Sequence, residues 1–307
     1  MEYIREITNF HEKHTCVTLG KFDGLHLGHR MLLEQLKKYQ KIGYRSIVFT
    51  FDSHPFCLFS KQDISLIYTE EERKILISKL NPDVMISFPF TEEIATIEPE
   101  DFLKEILIKQ LDAKVLVVGS DFRFGHARRG NVEMLKKYET LYGYQLVVVE
   151  KLLNDGEIVS STRIRKALEQ GDLKQANKLL GNPYTIFGTV VHGKELGRTL
   201  GMPTVNLIPS KQKLLPPNGV YASTTIVRQK SYHGVTNIGC KPTVSNELVR
   251  GVETYLFDFH EQVYGEEIEV KLYSFERPEY RFHSISELKL QIEKDVEFGK
   301  MFFKSGE

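Results

Sequence analysis

The chain has 307 residues, and its 41 Lys and Arg residues are balanced by 41 Asp and Glu residues, so the formal net charge is zero. A neutral chain lacks the field that gathers long anionic polymers, which argues against nucleic acid or a membrane surface as its main partner. Its hydrophobic content of 41% and charged content of 27% are typical of globular proteins. The length predicts two domains.

The cysteines and the chain start indicate the compartment. Cys16, Cys57 and Cys240 are scattered and lack the spacing of a metal or redox pair. We interpret them as small buried side chains of a reduced, cytoplasmic protein. The first residues do not form a basic-then-apolar signal, and no stretch approaches 18 uninterrupted apolar residues. We therefore expect a soluble protein of the cytoplasm.

In the first half of the chain, apolar runs alternate with helical patterns. The predicted strands are Thr15–Leu19, Arg45–Phe51, 83–88, 114–119 and 144–150, and the predicted helices lie at about 28–42, 69–80, 99–111 and 131–142. The strands are nearly continuous in Val, Ile, Leu and Phe, as parallel strands covered on both faces are. This alternation predicts a doubly wound, Rossmann-like α/β domain with its ligands beyond the carboxyl ends of the strands.

The second half has a different periodicity. A longer helical region over 160–181 ends at Gly181-Asn182-Pro183, which places the domain boundary between domains 1–182 and 183–307. Six short β-type runs follow at 184–192, Thr204–Leu207, 220–227, 231–238, 251–259 and 267–275. Their close spacing predicts an antiparallel barrel or sandwich, with a terminal helix over 284–303.

The first candidate site is the segment GKFDGLHLGH at residues 20–29, directly after the first apolar strand. A strand that enters a helix through a glycine-bearing turn presents backbone N–H groups and the positive end of the helix dipole, and such a turn binds phosphate. Gly20 and Gly28 allow close approach, and His26 and His29 donate hydrogen bonds to oxygens that gain charge. The alternative is a histidine cap beside a surface histidine.

Two further segments of the first domain carry polar or aromatic groups. Ser161, Thr162 and Arg165 place hydroxyls and a cation at the start of another helix, which suits phosphate, although an N-cap before a basic helix face has the same pattern. Asp121 and Phe124 follow the strand at 114–119. Aromatic faces beside a charge hold planar rings by stacking, whereas buried phenylalanines are the commoner alternative.

The second domain contains HGKELGRTLGMPTVN at residues 192–206, a glycine-rich loop before a short strand. Thr204 and Asn206 alternate on that strand, so both side chains face one side and suit one Mg²⁺ ion. Glu253 is an acidic residue within an apolar strand and suits a general base for a hydroxyl. The alternatives are a flexible surface loop and a solvated strand carboxylate.

In this order, the motifs resemble those of the bacterial bifunctional riboflavin kinase/FAD synthetases over nearly the whole chain. GKFDGLHLGH resembles the first adenylyltransferase motif, VSSTRIR resembles the last, and GRTLGMPTVN resembles the nucleotide and Mg²⁺ motif of the kinase. LLPPNGVYA, NIGCKPT, VETYLFDF and VYGEEIEVKLYSFERPE are further matches. Lys21 and Tyr255 depart from the Asn and His that are usual in the family.

The resemblance implies an N-terminal HxGH-type FMN adenylyltransferase domain and a C-terminal six-stranded β-barrel riboflavin kinase domain. The kinase would convert riboflavin to FMN, and the transferase would convert FMN to FAD and pyrophosphate, both with ATP and Mg²⁺. The expected partners are therefore small molecules. The alternatives are a chain with one active module and a non-catalytic flavin-binding regulator.

The resemblance also implies roles for individual residues. The ATP-binding set of the transferase is Gly20, Asp23, His26, Gly28, His29, Ser161, Thr162 and Arg165, and the flavin-binding pair is Asp121 and Phe124. The ATP-binding set of the kinase is Gly193, Gly197, Arg198, Gly201, Thr204 and Asn206, with Thr204 and Asn206 on the metal. The catalytic residues would be Glu253, which takes a proton from the ribityl 5′-hydroxyl, together with His26, His29 and Arg165.

Overall fold

The computed structural model describes residues 1–52, 65–193, 201–242 and 248–306. The chain divides into two compact units, Met1–Ser160 and Ser161–Glu307. The sequence predicts a boundary at residue 182. The division by compactness comes earlier, at residue 160, and the two helices between these positions belong to the second unit. The boundary of the functional domains at 182 stays a prediction.

The first unit is a parallel sheet with connecting helices. Its main strands are β1 (Glu2–Arg5), β2 (Thr15–Leu19), β3 (Arg45–Phe51), β4 (Val84–Phe88), β5 (Ala113–Gly119) and β6 (Gln145–Val149). Its helices are α1 (Leu27–Gln40), α2 (Glu70–Ser78), α3 (Glu92–Ala95), α4 (Pro99–Asp101), which continues as a π-helical segment (Phe102–Gln110), and α5 (Val132–Tyr142). A 3₁₀ turn (His126–Arg128) and a small hairpin of β7 (Leu153–Asn154) and β8 (Glu157–Ile158) complete the unit.

The strand order of this sheet is β1-β4-β3-β2-β5-β6, and all neighbouring strands are parallel. The chain proceeds from β2 outward to β3 and β4, then returns to place β5 on the other side of β2. The loops that leave β2 and β5 therefore diverge, and ligands of open α/β sheets bind at such a switch point. The prediction of a doubly wound sheet is confirmed.

Both faces of the sheet are buried, which explains why its strands are nearly continuous in apolar residues. On one face, Ile47 belongs to a cluster with Phe102 and Leu103 of the π-helical segment. On the other face, Val48 belongs to a cluster with Leu33 and Leu36 of α1. Successive residues of one strand thus contact different helical layers.

The described residues of the second unit form a six-stranded antiparallel sheet and three helices. In chain order its elements are α6 (Ser161–Glu169), α7 (Leu173–Leu180), β9 (Tyr184–Thr189), β10 (Thr204–Leu207), β11 (Gly219–Val227), β12 (Lys230–Pro242), β13 (Leu248–Leu256), β14 (Glu267–Pro278) and α8 (Ile285–Lys304). The strand order is β10-β13-β12-β11-β14-β9. An antiparallel bridge between Val191 and Asn206 brings the chain after β9 back to β10, so the sheet curls toward closure. The predicted six-stranded barrel with a terminal helix is confirmed.

One predicted helix is found as two. The sequence predicts a single helical region over 160–181, whereas the structure has α6 and α7 separated by a turn. Gly171 adopts a positive φ of 75° there. The side chain of Asp172 then accepts a hydrogen bond from the backbone N–H of Gln175 at 2.9 Å, which caps α7.

The terminal helix α8 is anchored to β14 by a bidentate ion pair. Arg277 donates from Nε to Oδ1 of Asp295 at 2.8 Å and from Nη2 to Oδ2 at 2.5 Å. The preceding residue, Glu276, has a buried Oε2 without a hydrogen-bond partner among the described residues. Burial and the nearby Asp295 carboxylate raise the pKa of Glu276 from 4.5 to about 7.

Replacing Glu276 with glutamine is expected to stabilise the protein selectively at alkaline pH. The pKa of Glu276 is higher in the folded state, so its ionisation penalises folding above about pH 7 and the penalty vanishes below its ordinary value of 4.5. After allowance for solvent screening, we expect a gain of about 1–2 kcal/mol at pH 8. Thermal unfolding at pH 8 and pH 4.5 measures the effect. An equal shift in Tm at both pH values would contradict this origin.

Candidate active sites

The turn after β2 has an unusual backbone that burial maintains. Phe22 and Leu25 have positive φ values of 49° and 40°, which are uncommon for residues with a side chain, and Gly24 between them has a φ of 85°. Phe22 is fully buried and Leu25 is 3% exposed. Both belong to the apolar cluster that also contains the buried residues of α1. Core packing therefore holds the shape of the turn.

His26 and His29 lie together where this turn enters α1. His26 is the N-cap of the helix, and its Nδ1 accepts a hydrogen bond from the backbone N–H of His29 at 3.3 Å. The two rings stack with centroids 3.7 Å apart and an angle of 14° between their planes, and Gly28 lies against the His26 ring. Because Nδ1 of His26 is an acceptor, its neutral ring carries the proton on Nε2.

Both histidines are neutral near pH 7. Burial lowers the pKa of His26 to about 4. Burial, His26 and Arg73 hold the pKa of His29 well below its ordinary value of 6.5. Nδ1 of His29 is buried and has no hydrogen-bond partner in the described part of the chain. Neutral rings at a helix N-terminus offer N–H donors to an anion without changing their own charge.

Asp23 and Arg73 connect this turn to neighbouring elements. Asp23 is 6% exposed, and its Oδ1 accepts a hydrogen bond from the backbone N–H of Ile67 at 3.1 Å. Arg73 of α2 is 9% exposed and donates to the backbone carbonyl of Lys21 at 2.7 Å and to that of Phe51 at 3.0 Å. The sequence pattern does not single out Arg73, because it lies in a charged run. Arg73 lies four residues before the buried Ile77, so both side chains share one face of the helix. This spacing is the sequence signal of its burial.

The loop after β5 lies at the same edge of the sheet, since β2 and β5 are adjacent. Asp121 is exposed and forms an ion pair with Lys151 at 2.9 Å. Phe124 is 8% exposed and stacks on the half-buried Phe122, with centroids 5.5 Å apart. The Phe124 ring is thus part of the hydrophobic core of the first unit.

Ser161, Thr162 and Arg165 lie on the first two turns of α6. Thr162 is exposed, whereas Ser161 and Arg165 are half-buried. By compactness, these three residues belong to the second unit.

The second unit brings Thr204, Asn206 and Glu253 together. Thr204 Oγ1 donates a hydrogen bond to Glu253 Oε1 at 2.6 Å. Asn206 lies directly opposite Glu253 in the antiparallel pairing of β10 and β13 and is 6% exposed. A Cβ atom on Gly193 would lie 2.6 Å from Nδ2 of Asn206, so glycine is required for this close approach. Gly201 has a positive φ of 77°, while Gly197 and Arg198 lie outside the described residues.

A cavity of about 210 Å³ adjoins this cluster. It is lined by Val190, Pro203, Thr204, Val205, Phe259, His260, Glu261, Gln262, Val263 and Tyr264. Tyr264 stacks on His192 with centroids 3.8 Å apart. The loop over 259–264 is a component of the site to which the sequence reasoning assigned no role. Its ends lie in the motifs VETYLFDF and VYGEEIEVKLYSFERPE, but its residues follow the strand that carries Glu253 and form no recognisable pattern of their own.

Two general features are absent from the described part of the chain. No helix there combines the length and the apolar character needed to cross a membrane. Those residues also contain no group of three or more His, Cys, Asp or Glu side chains placed to hold a metal ion. Cys16 is buried, as predicted, whereas Cys240 is exposed, so the prediction was wrong for Cys240, and Cys57 lies outside the described residues.

Comparisons with known proteins assign the two halves of the chain to two protein families. Residues 8–163 match the family model for FAD synthetase, and residues 180–303 match the model for riboflavin kinase. The chain is 38% identical to the bifunctional riboflavin kinase/FMN adenylyltransferase of Haemophilus influenzae, over 99% of this chain and 100% of that protein. It is 36% identical to the protein of the same name from Listeria monocytogenes, over 94% and 92% of the two chains.

A solved structure shows the same fold. It is described as a macrolide-efflux protein from Streptococcus pneumoniae, and its TM-score to this chain is 0.86 at 28% identity. The alignment covers 98% of this chain and 99% of that one. With two family models and curated relatives that match nearly end to end, the chain belongs to the bifunctional riboflavin kinase/FMN adenylyltransferase family.

Proposed function

We propose that this chain makes FAD in two steps, at two sites of different construction. The site around Thr204, Asn206 and Glu253 phosphorylates riboflavin with ATP and yields FMN. The site around His26 and His29 transfers AMP from a second ATP to FMN and yields FAD and pyrophosphate. The observation that carries this proposal is the 2.6 Å hydrogen bond from Thr204 to Glu253, which places a carboxylate beside hydroxyl and amide oxygens in the second unit.

In the kinase step, Glu253 is the general base. Its carboxylate accepts the proton of the ribityl 5′-hydroxyl while that oxygen attacks the γ-phosphorus of ATP and ADP leaves. The hydrogen bond from Thr204 orients the Glu253 carboxylate. The cavity lined by Phe259 and Tyr264 has room for a flat ring of the nucleotide. Gly193, Gly197, Arg198 and Gly201 are assigned to the ATP phosphates.

In the transferase step, an oxygen of the FMN phosphate attacks the α-phosphorus of ATP, and pyrophosphate leaves. His26, His29 and the N-terminus of α1 donate hydrogen bonds to phosphate oxygens as charge develops on them. The assignment of Ser161, Thr162 and Arg165 to ATP binding in the transferase rests on the motif VSSTRIR alone. Gly20, Asp23 and Gly28 are assigned to the turn that holds ATP. Asp121 and Phe124 are assigned to the flavin.

Both steps use ATP with a divalent metal ion, and we propose that this ion is Mg²⁺. Hard oxygen donors suit Mg²⁺, and it is usually held by few protein groups together with substrate phosphates. Thr204 Oγ1 and the Asn206 side-chain oxygen fit that description, because they are hard oxygen donors on alternate residues of one strand, β10. When bound, the ion would neutralise charge on the phosphates of ATP.

A product assay tests the proposal. Purified protein is incubated with riboflavin, ATP and Mg²⁺, and flavins are separated by HPLC over time. FMN followed by FAD is the expected result. One product alone would indicate a single active module, and tight flavin binding without either product would indicate a regulator.

Replacing Gly193 with alanine is expected to reduce FMN formation by roughly 10²-fold. The added Cβ would lie 2.6 Å from Nδ2 of Asn206 and would push this side chain away from its place beside Glu253. Gly188 is the matched control, since a Cβ there meets Leu207 at an ordinary 3.4 Å. Initial rates of FMN formation for both variants are the measurement. Equal rates for G193A and G188A would contradict the role of Asn206.

A further inference from the structure

The buried Arg73 is a feature of the first unit that the two proposed reactions do not explain. It lies on the inner face of α2 with Ile77, and its side chain is 9% exposed. Arginine is rarely buried to this extent unless its donors are satisfied. Both Nη atoms of Arg73 donate hydrogen bonds, whereas its buried Nε has no partner among the described residues. The partners of its guanidinium therefore indicate what this charge is for.

The guanidinium bridges two segments at the carboxyl edge of the sheet. One Nη donates to the carbonyl of Lys21, in the turn that leads to the histidines, at 2.7 Å. The other Nη donates to the carbonyl of Phe51, the last residue of β3, at 3.0 Å. The turn after β2 is thereby tied to the end of the neighbouring strand through one rigid planar group.

The charge of Arg73 also acts on the site. Burial lowers the pKa of Arg73, and the carboxylates of Glu70, Asp23 and Asp52 oppose that change, so the guanidinium remains a cation. This cation is one of the groups that hold the pKa of His29 below its ordinary value. Arg73 therefore contributes both to the position of the turn and to the neutrality of its second histidine.

We propose that Arg73 is a positioning residue for adenylyl transfer, because its guanidinium holds the carbonyls of Lys21 and Phe51 and so sets the turn that presents His26 and His29. The hydrogen bonds that Arg73 makes within the described residues go to backbone carbonyls and not to the histidine rings, so we do not assign it as a catalytic residue. The inference rests on the proposed transferase activity of the first unit.

The test compares Arg73→Met, Arg73→Lys and a matched control in the full-length protein. Methionine keeps the apolar stem and removes both donors and the charge, whereas lysine keeps the charge on a single compact donor. Arg45→Met is the control, since Arg45 begins β3 at the opposite edge and pairs with Glu12 at 2.6 Å. Riboflavin phosphorylation by the same chain is the internal standard for correctly folded protein.

We expect R73M to lose roughly 10²-fold in kcat for FAD formation, because a small displacement of the turn misaligns the phosphates. R73K should lose less, R45M should match the wild type, and FMN formation should be unchanged in all three. The pKa of His29 is measured by titrating protein whose histidines are labelled at a ring carbon, and the His29 signal is assigned with the His29→Asn variant. This pKa should rise in R73M and stay low in R73K. A purely structural role would leave that pKa unchanged in the folded protein.

Wild-type FAD formation by a folded R73M protein would overturn the proposal. If R73M does not fold, R73K provides the test. A folded R73K protein with the wild-type kcat for FAD formation would equally overturn the proposal. A wild-type protein that makes no FAD from supplied FMN would instead contradict the proposed function, so the two failures are distinguishable.

Discussion

Replacing Glu253 with glutamine should lower FMN formation by roughly 10²–10⁴-fold and leave FAD formation from supplied FMN unchanged. The amide cannot accept the proton of the attacking hydroxyl, but its oxygen can still accept the hydrogen bond that Thr204 Oγ1 makes to Oε1 at 2.6 Å. The variant therefore removes the base while it preserves the local contacts. Initial rates of the two steps, measured separately, provide the test.

The control for this variant is Glu267→Gln, an exposed carboxylate on β14 of the same barrel. It should leave both rates at wild-type values. FMN formation by E253Q at the wild-type rate would exclude Glu253 as the base. Loss of both activities would contradict the assignment of the two steps to separate sites.

Replacing His26 with asparagine should lower FAD formation by roughly 10²–10³-fold and leave FMN formation unchanged. Asparagine is a good N-cap, so its side chain can replace the acceptor that Nδ1 offers to the His29 backbone N–H. It lacks the Nε2–H donor of the imidazole ring. The substitution thus separates the capping role of His26 from its role as a donor to the phosphates.

FAD formation from supplied FMN is the measurement for this variant, and His14→Asn is the control, because His14 is exposed and precedes β2 at the opposite edge of the sheet. In the wild-type protein, burial lowers the pKa of His26 to about 4. Ionisation of this ring should therefore produce no inflection near pH 6.5 in the rate of FAD formation. A wild-type rate for H26N would show that capping is the whole role of His26.

Local patterns predict most of the secondary structure because they depend on near neighbours in the chain. The apolar runs predict β2 and β3 with the bounds that the structure has. Thr69 followed three residues later by Glu72 is the pattern of a capping box, and both of its reciprocal hydrogen bonds are present at the start of α2. These features need only propensity, spacing and short-range hydrogen bonds.

Elements that depend on distant partners are not predicted. β1 (Glu2–Arg5) has only half-buried or exposed residues and forms a strand because it pairs with β4, far along the chain. The loop over 259–264 resembles an ordinary connection, and its part in the cavity beside Thr204 depends on the fold of the barrel.

By itself, the sequence determined the alternation of strands and helices, the change to a β-rich second half, and the motifs around His26, His29, Thr204 and Asn206. Only the tertiary structure decided which charged side chain is buried behind the first site. Arg73 lies in a run of Glu, Arg and Lys that is equally compatible with a solvated helix face. Its role depends on the carbonyls of Lys21 and Phe51, which are distant in sequence and are brought to it by the folding of the sheet.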